Sequence, residues 1–116
     1  SARNKGKDTR IVSSVQQLRV QLESDFNGAD YRASFSAANA FITTAGSNYA
    51  ILTADAAANG GAITVKTAGT YPAITAYAIY GQLVSNTARY FCIDSTGATN
   101  ATAISTANSF CPAAGS

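Results

Sequence analysis

The sequence predicts an α+β domain: a long N-terminal helix packed on a three- to four-stranded antiparallel sheet, with a C-terminal loop closed by a disulfide. Three observations predict it. Apolar residues recur at helical spacing from Ile11 to Leu22, β-favouring runs separated by turn residues follow Gly60-Gly61, and Cys92 and Cys111 stand near the C-terminus. A chain of 116 residues fits one domain, since domains cluster near about 100–150 residues. Residues 1–116 are therefore read as one unit.

The helix is assigned to residues 3–27. Ile11, Val15, Leu18 and Leu22 lie four, three and four apart, which sets them on one helical face. They form the expected helix–sheet packing face. Val12 and Val20 fall off that stripe, Arg19 is expected to point away from the sheet, and Arg3, Lys7, Arg10 and Glu23 to stay free on the outer side. Asn27-Gly28 supplies the stop, because glycine adopts the left-handed conformation that ends helices.

Residues 28–60 read as a looser αβ-loop containing a short helix, capped by Ser47 and running to Asn59 with Gly60 just beyond. Antiparallel strands occupy residues 61–94. Ile63-Thr64-Val65-Lys66 alternates with period two until Gly69-Thr70 breaks the run. Ala73 to Val84, with Ile74, Tyr77, Ile79 and Tyr80, forms a second run, and Pro72 is tolerable near its start. Ser85-Asn86-Thr87 reads as a turn, Arg89 to Ile93 as a third strand, and Asp94-Ser95-Thr96-Gly97 as the turn that closes it. Residues 95–116 carry no period and read as a loop. Cys111 can pin that loop to the strand bearing Cys92; in the chain-entropy picture, closing about 20 residues contributes roughly 3 kcal/mol. An even cysteine count in a Ser/Thr-rich, Lys-poor chain fits a disulfide from an oxidising compartment, with two buried thiols as the alternative.

Composition narrows the function. Ala, Thr, Ser and Gly supply half the chain, charged residues only 12 %, and the net charge is +2. That charge is too small to mark a nucleic-acid surface, so no specific nucleic-acid binding is expected. The chain has no His, which removes the commonest general base and metal ligand. A hydrolytic Ser would need Lys5, Lys7 or Lys66 as its base, and two thiolates alone do not complete a zinc site. Glu23, Asp25 and Asp30 read as solvated residues around a turn rather than as a catalytic pair. Asp94 is the one carboxylate in residues 94–111, too few for a calcium ion's oxygen ligands. No P-loop or dinucleotide fingerprint occurs. The expectation is a non-enzyme without catalytic residues, metal or cofactor. The six tyrosines (31, 49, 71, 77, 80 and 90) read as half-buried core with hydroxyls at the rim, and Asn100-Ala101-Thr102 matches a glycosylation sequon.

No apolar run approaches the length of a membrane span, and the polar stretch Ser1–Arg10 is no secretory signal. An N-terminal segment is therefore expected to have been removed, with Ser1 a foreign remnant.

Long helix, variable loop, antiparallel strands and disulfide-closed terminus together resemble the globular domain of a type IV pilin, over essentially the whole chain. The resemblance is carried by Ala2-Arg3-Asn4-Lys5-Gly6-Lys7-Asp8-Thr9-Arg10-Ile11 through Leu22. That stretch is similar to the charged run that follows the hydrophobic half of the N-terminal helix in type IV pilins and pseudopilins. It is carried also by Tyr90-Phe91-Cys92-Ile93-Asp94-Ser95-Thr96-Gly97, which looks like the last-strand motif of many small pilins, with Cys111 as the closing partner. The resemblance implies a structural subunit of a bacterial type IV pilus. Such a subunit polymerises through an apolar half-helix, absent here, into an extracellular filament for adhesion, twitching motility or DNA uptake. Its implied partners are other pilin subunits, the pilus assembly machinery and, before assembly, the inner membrane through the missing segment. A minor pilin or a pseudopilin of type II secretion is the alternative on the same fold. A small secreted adhesin or ligand-binding module, using residues 28–60 and 98–116, is less favoured.

Overall fold

In the computed structural model, which describes residues 2–113 apart from the side chain of Thr102, helix α1 spans Ala2–Asp25. The readings of Ser1 as a remnant and of 114–116 as loop lie outside the described residues. At about 1.5 Å per residue, α1 is a rod of roughly 36 Å in a molecule 42 Å along its longest axis. Its buried residues are Ile11, Ser14, Val15, Leu18 and Leu22, so the apolar stripe faces inward. Val12 adds to the core from one side, while Val20 is 68 % exposed. The helix ends two residues earlier than the sequence suggested, and Gly28 takes φ +92° in the turn that follows.

Helix α2 spans Asn48–Ala58, with the Ser47 side chain accepting from the Ala50 N–H and Asn59 at its C-cap. Between α1 and α2 the chain contains one 3₁₀ turn, Arg32–Ser34. This region is less loose than its composition implies. Tyr31, Phe35, Phe41, Tyr49 and Leu52 all enter the main core, and the rings of Phe35, Phe41 and Tyr49 stack in series with centroids 5.2 and 5.3 Å apart.

Four strands, β1 (Ile63–Ala68), β2 (Ala76–Gln82), β3 (Tyr90–Asp94) and β4 (Thr99–Ala103), form an antiparallel meander in the order β1-β2-β3-β4. β4 corrects the reading of residues 95–116 as loop. Thr99-Asn100-Ala101-Thr102-Ala103 has little β-favouring apolar alternation, and its pairing comes from β3, with Cys92 opposite Asn100 and Ile93 opposite Thr99. β2 is shorter than the run from which it was read. Pro72, after a cis peptide bond, lies in the turn before it.

Period-two alternation divides the sheet's side chains between two cores. Tyr77, Ile79, Phe91 and Ile93 face α1 and α2, whereas Ala78, Tyr80, Cys92 and Ala103 form a second buried cluster on the opposite face. Residues 104–113, without helix or strand, hold Cys111 against that second face.

Candidate functional site

Two structures concentrate the side chains that the sequence singled out: the seam where α1 lies on the sheet, and the disulfide-closed end. At the seam, Ile11, Val15, Leu18 and Leu22 all have 0 % exposure. The approach is close because β2 offers a glycine there. A Cβ built on Gly81 would stand 2.8 Å from an Ile11 methyl and 2.9 Å from a Val15 methyl, and one on Gly61 would stand 2.6 Å from Ile11. A Cβ at either position would force the Ile11 or Val15 side chain to shift.

Polar bonds pin the helix along its length. Near the start, Asp8 accepts from the backbone N–H of Val84 at 2.6 Å and of Ser85 at 3.3 Å, and from the Ser85 hydroxyl. In the middle, Arg19 Nε donates to the Asp94 carbonyl at 3.1 Å. At the end, Tyr77 Oη donates to Glu23 at 2.7 Å and Tyr49 Oη to Asp25 at 2.9 Å. These bonds correct three expectations. Arg19 does not point away: its long side chain reaches sideways from the stripe to the sheet. Glu23 is not free on the outer side. The carboxylates near the helix end are not merely solvated, for Asp30 is buried and receives Arg32 Nε at 2.9 Å and Nη2 at 2.7 Å.

Burial, reinforced by the Glu23 carboxylate, pushes the Tyr77 hydroxyl far up and that of Tyr31 up to about 12. Burial raises Tyr49 as well, although its bond with Ser34 works against the shift. Burial opposes ionisation of Asp94 and Asp8, but the hydrogen bonds they accept outweigh it and hold both below the ordinary carboxylate range. For Asp30 the Arg32 bonds lead, and its carboxyl falls to about 2.

At the opposite end, Cys92 and Cys111 form a disulfide with Cα atoms 5.7 Å apart. Asp94, read from sequence as a turn residue, is the hub of this end. Its Oδ1 accepts from Thr96 N at 3.0 Å, Thr96 Oγ1 at 2.6 Å and Ala98 N at 3.1 Å, while Oδ2 accepts from Cys111 N at 2.8 Å. Tyr80 Oη donates to the Asn108 carbonyl at 2.8 Å, and Asn100 Nδ2 to the Pro112 carbonyl at 2.5 Å. Asn100 is 6 % exposed, so the sequon's acceptor is turned inward and used structurally. Tyr77 and Tyr80 are fully buried rather than half-buried; their hydroxyls donate to exposed Glu23 and to the Asn108 carbonyl.

An open groove of about 350 Å³ runs between α1 and α2, with Val20 and Ile51 exposed beside Gln17 and Asp55. Among the described residues, no group of three or more His, Cys, Asp or Glu is placed to hold a metal ion, and no helix is long and apolar enough to cross a membrane. Ser34, bonded to the Tyr49 hydroxyl, is completely buried, so this Ser–Tyr–Asp25 series offers no accessible nucleophile. The arrangement can stiffen a head and present surfaces. Comparisons with protein-family models, curated proteins and solved structures found no match.

Proposed function

We propose that this chain is the globular head of a type IV pilin-like subunit, a structural protein that works by assembling into a bacterial surface filament rather than by catalysis. The observation that carries the reading is the seam of α1. One helix buries Ile11, Val15, Leu18 and Leu22 against the sheet, while its first nine residues carry none of the buried set. Burying four such side chains is worth about 6–12 kcal/mol before conformational entropy, enough to fix the helix rigidly to the head. A rigid rod continuous with a head suits a subunit whose neighbours meet it by a repeated, non-closing contact. The disulfide-closed terminus fits service in an oxidising environment.

In this reading an apolar helical segment drives polymerisation, and the head by itself is expected to stay monomeric. Sedimentation at high protein concentration tests this: a single monomeric species is expected, and spontaneous filaments would contradict the division of labour. The codons preceding Ala2 supply a second test. About 25 apolar residues behind a short basic leader are expected, whereas a conventional signal peptide would favour a secreted adhesin.

A further inference from the structure

Four of the chain's eight Lys and Arg residues, Arg3, Lys5, Lys7 and Arg10, fall in the first nine residues of α1. The one carboxylate among them, Asp8, is directed to the backbone and hydroxyl of the Val84–Ser85 turn. Among the described residues the one ion pair is Arg32–Asp30, so none of these four cations pairs with a carboxylate. Arg3, Lys7 and Arg10 are spaced four and three apart and share about 60° of helical arc. Like charges at these spacings repel. The tract therefore weakens the helix, and no carboxylate in the described chain pairs with it.

The tract is also bare. Further along α1, α2 covers the adjoining face, and this cover stops at a depression of about 280 Å³ between Arg10, Ser13, Gln17, Asp55 and Asn59. Before it, Arg3 and Lys5 are exposed and Lys7 half-buried, Arg10 is exposed at its rim, and a Cβ built on Gly6 meets nothing within 4 Å.

We propose that the exposed basic turns at residues 3–10 of α1 are a docking surface for anionic phospholipid headgroups. Charge complementarity calls for an anionic partner, and the shape selects a planar one. From Arg3 to Arg10 the cations span about 10 Å, too short a track for a nucleic-acid strand. Continuing along the helix would bring phosphates to Asp55, Asp25 and Glu23. No aromatic side chain stands in residues 2–10 to stack a base. A membrane face meets the basic turns alone, where the one carboxylate, Asp8, is already engaged by the Val84–Ser85 turn.

Co-sedimentation with vesicles of mixed phosphatidylglycerol and phosphatidylcholine, against phosphatidylcholine alone, tests the proposal. Each cation at an anionic surface multiplies binding about fivefold. The combined variant Arg3→Ala, Lys7→Ala, Arg10→Ala should therefore bind mixed vesicles about a hundredfold more weakly, while Lys66→Ala on β1 changes little. The triple variant should melt at the same temperature as the parent or higher, because repulsion has been removed. Any of these results would overturn the proposal: equal affinity for neutral vesicles, no binding to mixed vesicles at low salt, full binding by the triple variant, or a lowered melting temperature in it. Tighter binding to a DNA duplex at equal phosphate concentration would overturn it in favour of nucleic acid. Failure on any count leaves the filament reading intact, since that reading rests on the seam.

Discussion

On one face of the sheet, Tyr77, Ile79, Phe91 and Ile93 meet the large apolar side chains of α1 and the aromatic rings of residues 31–49. On the other face, Ala78, Tyr80, Cys92 and Ala103 meet residues 104–113. The first contact is mainly broad and apolar, and the bonds of Asp8, Arg19, Glu23 and Asp25 add direction to it. The second is narrow. A segment of ten residues without helix or strand loses about 1–2 kcal/mol of backbone entropy per residue on ordering, and its large apolar side chains, Ile104 and Phe110, stay exposed. Directed links hold it instead: the disulfide, the bond that Asp94 accepts from the Cys111 N–H, and the bonds donated by Tyr80 and Asn100. A face covered by a helix is stable by area, whereas a face covered by a strap is stable by specific bonds.

The strongest way to break the first face is Leu18→Asp, which puts a charge at a position with 0 % exposure. A loss above about 4 kcal/mol is expected, read as failure of the domain to show a cooperative melt near the parent's temperature. On the second face, Asp94→Ala removes four accepted bonds, and about 2–3 kcal/mol is expected for hydrogen bonds to a charged group. Urea unfolding measures the loss, and faster proteolysis within 104–113 locates it. A loss without faster strap cleavage would place the role of Asp94 in the turn alone.

Titration sharpens the comparison because Asp8 and Asp94 serve different contacts. The carboxyls of Asp8, Asp30 and Asp94 are all held below the ordinary value of 3.8. Depressed groups stabilise the fold above the unfolded-state value and lose that contribution as pH falls through the folded one. The melting temperature should therefore be flat above about pH 5 and fall below about pH 4, with the Asp30 contribution persisting until near pH 2. Raised tyrosines act in the opposite direction. Tyr31, Tyr49, Tyr77 and Tyr80 support the fold below about pH 10 and lose that support as pH rises towards 12 and beyond. The smallest expected effect separates neighbours on α1. Arg19→Ala should cost about 1 kcal/mol for its bond to Asp94, and Val20→Ala about nothing, both read by chemical denaturation.

The inner face was legible because Ile11, Val15, Leu18 and Leu22 repeat at the helical period, and a period survives ignorance of the partner. Ser47 and Gly60 marked α2 for an equally local reason, a side-chain cap and a glycine stop. The outer face was mostly illegible. Thr99–Ala103 becomes a strand through its register with β3, a non-local cause, and Asp94 looks like any turn-initiating Asp until Cys111 is brought beside it. The Asp-x-Thr spacing was a signal for the turn, but nothing nearby announced the fourth bond. Arg19 was misplaced because helical angle locates a Cβ, whereas a guanidinium extends well beyond it. Residues 28–45 hid their role because core aromatics at irregular spacing carry no period.

The two faces should open independently, and native-state hydrogen exchange on the oxidised and the reduced protein measures whether they do. Reducing Cys92–Cys111 should remove roughly 3 kcal/mol from the constraint on the strap. The account predicts that amides of β4 and residues 104–113 then exchange far faster, while those of α1 from Ile11 to Leu22 and of β1 and β2 keep most of their protection. A uniform loss of protection, with α1 opening together with the strap, would contradict it and show that the disulfide holds the whole head.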